Sequence, residues 1–177
     1  MKKTYVMPLL VLTVICLVVS GALAVMNSIT LPVVTSAAAE RAEEEMYRKI
    51  PEATGFEQIE LETIEGLPDT IKEAYKTTNN VGYIFIAAIH GFSGDITIIC
   101  SLDEEGTIIA TSTLSHTETK GIGTIIEQKS FLNTFKGKDN RLEGVDTVAG
   151  ATISTRAYIH AIRDIIEAFY IIIGENV

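Results

Sequence analysis

This 177-residue chain offers two cysteines and three histidines, and that scarcity removes several chemistries at once. Cys16 lies inside an apolar run and Cys100 in a predicted strand, so they cannot pair as a disulfide. No further cysteine remains for zinc or thiol redox chemistry. His90, His116 and His160 show no metal-ligand spacing with one another or with carboxylates, and a metal site is not expected. A G-x-x-x-x-G-K-[ST] phosphate loop is absent, and so is the G-x-S-x-G elbow of many hydrolases. Gly121-Ile122-Gly123 opens like a dinucleotide loop, but Ile126 stands where the third glycine belongs and no βαβ unit follows.

Charge is missing from a long stretch near the start. After Lys2 and Lys3 no charged residue occurs until Glu40, and Tyr5–Val25 is an apolar run of 21 residues, enough to span hydrocarbon as a helix. Pro8 falls early, where a helix tolerates it best. The two lysines favour an N-terminus in the cytoplasm, with the rest of the chain on the extracytoplasmic side of the plasma membrane as a single-pass protein. Ala22-Leu23-Ala24 keeps a cleaved signal peptide as the alternative. Beyond the two lysines, 12 basic residues face 23 acidic ones, a net charge of −11. That balance argues against nucleic acid and against anionic lipid headgroups as partners. Lipid contact is expected of the apolar run alone.

The sequence divides into residues 1–30 (cytoplasmic N-terminus and transmembrane helix), a juxtamembrane segment 31–50, and a folded domain 51–177 that Pro51 opens. "NSITLPVVTSAAA" reads as an extended exit and "AERAEEEMYRK" as a short, solvated helix. "LPDTIKEAYKT" has Ile71, Ala74 and Tyr75 at helical spacing and predicts a short helix. Gly82–Gly91, Gly94–Leu102 and "TIIATSTLSH", separated by glycine-bearing turns, predict an antiparallel meander. In the last segment Tyr158, Ile162, Ile165, Ile166, Phe169, Ile172 and Ile173 mark one face of a helix that starts at or just after Thr152. Arg156, His160, Arg163, Asp164 and Glu167 mark its polar side. The expected fold is α+β, with an antiparallel sheet and helices packed on one of its faces.

"GATIST", Gly150 to Thr155, sits at the entrance to that helix. Free amides, the positive end of the helix dipole and three hydroxyls would suit a phosphate. An ordinary Ser/Thr cap explains the same residues. A second stretch, "SHTETKGIG", carries His116, Glu118, Thr119 and Lys120 on a glycine-flexed loop after the third strand, either a plain connection or a binding loop.

"VDTVAGATISTRA" resembles the D-x-x-[ST]-G-A-T-x-[ST]-[ST] flavinylation motif of membrane-anchored FMN-binding domains. "SHTETKGIG" is similar to the same family's H-x-E-T-P-G-L-G loop, and "GFSGDITIICSLDEEGTII" to its strand-and-turn segment. Together with the anchor, these features resemble the G subunits of Rnf complexes, the membrane-bound, ion-translocating ferredoxin:NAD⁺ oxidoreductases. The resemblance implies FMN joined covalently through a phosphoester to Thr152 and installed by a flavin transferase for which Asp146 forms part of the recognition sequence. It implies cofactor contacts from Glu118, Thr119, Gly121, Ile122, Asp146, Gly150, Ala151, Ser154 and Thr155. It further implies an electron carrier without complete enzymatic activity of its own, working with iron–sulfur and flavin subunits of one complex. The C subunit of the sodium-translocating NADH:quinone oxidoreductase and a free-standing flavinylated domain are the alternatives. Ala149 departs from the motif's Ser or Thr, and Lys120 and Ile122 from the loop's Pro and Leu.

Overall fold

The computed structural model describes residues 2–174 and separates into two compact units, residues 1–41 and residues 42–177. Helix α1 is Lys2–Lys49. Within it, Met7–Thr30 is long and apolar enough to cross a membrane, and its large apolar side chains, from Met7 to Ile29, are exposed. The stretch expected to be an extended exit is helical instead. Ala37–Ala39 and the Glu- and Arg-rich run behind them are strong helix formers, and Arg48 reaches back to Glu44 (2.8 Å) and Glu45 (3.1 Å).

From residue 42 onward the fold is built on one antiparallel sheet in sequence order: β1 (Phe56–Gln58), β2 (Ile71–Thr77), β3 (Tyr83–His90), β4 (Asp95–Leu102) and β5 (Ile108–His116). A 3₁₀ turn at Gly123–Glu127, a one-turn helix α2 (Lys129–Leu132) and the long helix α3 (Thr152–Ile173) follow. The meander and α3 lie where the sequence predicts them.

The expected helix over "IKEAYKT" is strand β2. A bulge between Ile71 and Glu73 shifts the register against β3, so that Ile71 lies opposite Ala87 and Ala74 opposite Phe85. An extra residue in a strand returns i and i+3 to one face, which is the spacing that imitates a helix. Tyr75, opposite Ile84, is on the other face.

Strand β3 is a nearly continuous apolar run because both faces of the sheet are covered. Phe85, Ala87, Ile98, Cys100, Leu102 and Ile108 pack with Tyr158, Ile162, Ile165, Ile166 and Phe169 of α3. Ile84, Ile86 and Ile99 project the opposite way and pack with Met46 and Ile50. The helices therefore do not lie on one face alone, and the end of α1 is not simply solvated: Met46 and Ile50 are buried. Each fully buried isoleucine of this kind contributes roughly 1.5–3 kcal/mol relative to exposure.

Two buried polar contacts lock α3 to the sheet. Thr111 Oγ1 donates to Ile99 O (2.9 Å) and lies 2.8 Å from Tyr158 Oη. Asp164, assigned to the polar side of α3 by the spacing, is in fact buried, where it accepts a hydrogen bond from Thr70 Oγ1 (2.6 Å). Burial pushes the Cys100 thiol up to about 12, which keeps it protonated and unreactive.

Candidate functional site at the start of α3

Helix α3 begins at Thr152, preceded by Ala151, which offers no side-chain cap. The first backbone hydrogen bond of the helix runs from Thr155 N to Ala151 O (2.9 Å). The amides of Thr152, Ile153 and Ser154 thus have no partner inside the helix, and they carry the positive end of its dipole. Gly150 has φ 87°, a conformation that turns the chain sharply into the helix and that favours glycine.

The three hydroxyls differ in what they do, and none caps the helix in the expected way. Thr155 Oγ1 donates to Ala151 O (2.9 Å) and accepts from Val148 N (3.1 Å), stitching the preceding loop to the first turn. Ser154 Oγ donates to Glu118 Oε2 (2.6 Å). Both residues are buried. Thr152 Oγ1 is left with a single 3.5 Å approach to Val148 O, at the outer limit of a hydrogen bond.

Glu118 is the organising side chain, although only 6% of the residue is exposed. Its Oε1 accepts from the amides of Phe92 (2.7 Å) and Ser93 (3.0 Å) in the β3–β4 turn, while Oε2 takes the Ser154 hydroxyl. Burial opposes ionisation of this carboxyl, but the bonds from Ser154, Ser93 and Phe92 outweigh it and hold the group below the ordinary glutamate value. Two glycines make room for it. A Cβ on Gly91 would fall 2.4 Å from Glu118 Oε1, and one on Gly123 would fall 2.6 Å from Oε2. The preceding turn is fixed as well: Glu118 N donates to His116 Nδ1 (3.0 Å), so that nitrogen carries no proton, and Nε2 faces Glu127 (3.1 Å).

These segments enclose a half-open cavity of about 360 Å³, lined by Phe92, Glu118, Thr119, Ile122, Gly123 and Gly150–Ser154. That volume is of ligand size. Among the described residues outside α1, the exposed large hydrophobic side chains are Phe92 (64%), Ile122 (56%) and Ile153 (54%), and all three line this cavity. Apolar side chains left exposed together around one mouth mark a surface meant to be covered. A flat apolar ring system fits such a rim, and a phosphate fits the free amides beside Thr152. The residues present therefore suit FMN.

Of the residues singled out in the sequence, Glu118, Thr119, Ile122, Gly150, Ala151, Thr152 and Ser154 come together in the cavity wall. Gly121 shapes the loop through its positive φ of 82°, and Thr155 lies buried beneath the helix entrance. Asp146 and Lys120 are exposed and are not part of the wall. Phe92, Gly123 and Ile153 belong to it and were not singled out. The signal available was an aromatic residue between two glycines in a turn, "GFSG", which is weak alone.

The comparisons with known proteins converge on the same segment. The family model described as "FMN-binding domain" matches residues 91–167, from the turn that Glu118 holds to the middle of α3. By that match, residues 91–167 resemble an FMN-binding domain. Relatives extend the similarity over more of its length. The G subunit of the ion-translocating oxidoreductase complex of Shewanella piezotolerans is 28% identical, with 92% of this chain and 88% of that protein aligned. The G subunit of the proton-translocating ferredoxin:NAD(+) oxidoreductase complex of Clostridium ljungdahlii is 24% identical over 88% of this chain and 86% of its own length. The corresponding ion-translocating oxidoreductase G subunit of Vibrio vulnificus is 34% identical over a shorter region, 56% of either chain. The match to the FMN-binding domain thus lies within a chain that is similar, over most of its length, to proteins named as G subunits of ion-translocating oxidoreductases.

Proposed function

We propose that this protein is the electron-transfer subunit of a membrane-bound, ion-translocating ferredoxin:NAD⁺ oxidoreductase and carries FMN as a phosphoester on Thr152 Oγ1. One observation carries the assignment of the threonine. Of the three hydroxyls in the first turn of α3, those of Ser154 and Thr155 are buried and committed to hydrogen bonds, whereas Thr152 in the cavity wall has only its 3.5 Å contact. The free amides of Thr152–Ser154 would then face the remaining negative charge of the diester. Attachment by a flavin transferase from a flavin dinucleotide balances simply: the Thr152 oxygen bonds to the flavin-side phosphorus, the pyrophosphate bond breaks, adenylate leaves and the hydroxyl proton goes to solvent or base.

When bound, FMN accepts or donates electrons singly, so it can join one-electron iron–sulfur centres to other flavins. The chain's own residues supply the rest. Phe92, Ile122 and Ile153, exposed around the cavity, would shield the ring system from water, and Met7–Thr30 would keep the domain at a membrane. The lysines at positions 2 and 3 orient the N-terminus to the cytoplasm and place the FMN-binding domain on the extracytoplasmic side. Partners are the other subunits of the complex, for which the similarity to proteins named as G subunits is the support.

The test is intact mass and in-gel flavin fluorescence after denaturation, on protein from its native membrane and on Thr152→Val. We expect a gain equal to FMN minus water in the wild type, with both signals lost in the variant. Wild-type protein without added mass, in cells that contain the transferase, ends the covalent reading. Copurification then separates an ion-translocating ferredoxin:NAD⁺ oxidoreductase from a quinone reductase or a free-standing domain.

A further inference from the structure

Glu118 does more than line the cavity. Standing on the loop after β5, its carboxylate ties that loop to two other segments: the Gly91–Gly94 turn through the Phe92 and Ser93 amides, and α3 through Ser154. Each of those segments contributes one residue of the exposed apolar rim. Phe92 is held by its own amide, Ile122 follows Glu118 in the loop, and Ile153 adjoins Ser154. Gly91 and Gly123 leave the room that the carboxylate occupies, since a Cβ at either would crowd one of its oxygens. A buried carboxylate is costly unless fully hydrogen-bonded, so a site that retains one with both oxygens engaged gains something an apolar residue would not supply.

We propose that Glu118 is the positioning residue of this site: through its three hydrogen bonds it docks the segments of Phe92 and Ile153 against its own loop, which carries Ile122, and keeps Ser154 occupied beside the free Thr152 hydroxyl. The inference rests on the FMN reading for the identity of the ligand, but the clasp itself is a property of the chain. Ser154 is held rather than activated, because a carboxylate that is reluctant to take up a proton is a poor base.

Two measurements on full-length protein test this, with Glu118→Ala and Glu118→Gln. The first is hydrogen exchange of the Phe92 and Ser93 amides on protein made without the transferase. Loss of the acceptor in Glu118→Ala should speed their exchange by about tenfold or more, the equivalent of one charge-assisted bond, while amides in the middle of α3 stay protected. Glutamine keeps an oxygen toward both amides and presents its NH₂ group to the Ser154 oxygen, so Glu118→Gln should stay close to wild type. The second is visible-region circular dichroism of the flavinylated proteins, which reports how asymmetrically the ring system is fixed. The band should collapse in Glu118→Ala and return in Glu118→Gln. Unchanged exchange at Phe92 and Ser93 in Glu118→Ala overturns the proposal, as does a dichroism band identical to wild type in that variant. If wild-type protein proves to carry no flavin, the FMN reading fails and the exchange experiment still decides the clasp. Should Glu118→Ala not fold, exchange in Glu118→Gln decides: amides opened there as far as global unfolding sink the idea.

Discussion

Strand β4 is flanked by two turns that solve the same problem differently. At its C-terminal end, Asp103–Gly106 is closed from within: Asp103 Oδ1 accepts from the amides of Glu105 (3.0 Å) and Thr107 (2.8 Å), and Gly106 takes φ 83°. At its N-terminal end, the Gly91–Gly94 turn gets its acceptor from Glu118, 25 and 26 residues away in sequence, and leaves Phe92 exposed at its tip. A turn that only has to reverse the chain can satisfy its amides locally. A turn that must place a side chain relative to another element needs a partner on that element. The difference separates scaffold from site within one hairpin meander.

Breaking the distant acceptor should have the largest effect. Glu118→Ala leaves two amides and a buried hydroxyl without their partner, and we expect a loss of about 3 kcal/mol in urea unfolding of the full chain. The same comparison can be made with pH. Glu118 has a lowered value in the fold, so its contribution is complete above the unfolded glutamate value, about 4.3, and is lost as pH falls through the lower folded one. The stability gap between wild type and Glu118→Gln should therefore be constant from neutrality down to about pH 5 and shrink below it. Asp103→Ala, the local counterpart, should cost only about 1 kcal/mol and leave flavin attachment unaltered. Smallest for stability is Phe92→Ala, within about 0.5 kcal/mol of wild type because the ring is exposed. Its visible dichroism should nevertheless weaken, which is the reverse of the Asp103→Ala pattern.

The β3–β5 meander and α3 were legible because glycine-edged β-branched runs and one long apolar stripe leave few alternatives. Other features depended on tertiary contacts that no local pattern encodes. Strand β2 read as a helix because its bulge puts Ile71 and Ala74 on one face. "AERAEEEMYRK", residues 39–49, read as a wet helix, since the burial of Met46 is decided by isoleucines more than thirty positions later. Asp164 looked solvated until Thr70 supplied its partner. At the cavity, two motifs named Thr152 and Glu118 but not the division of labour among hydroxyls, which emerges only when Ser154 is seen against Glu118. Phe92 was quoted within its strand-and-turn segment but given no role, because what an exposed aromatic in a turn does is visible only when two other exposed apolar residues stand beside it.

The packing of Met46 and Ile50 beneath the sheet also determines where this protein can be cut. A protease acting between residues 31 and 41 would release the domain with both cores intact. A cut after Lys49 would strip Met46 from Ile84, Ile86 and Ile99 and uncover an apolar sheet face. The fragment left behind would be prone to self-association. The tether thus belongs in part to the body it holds.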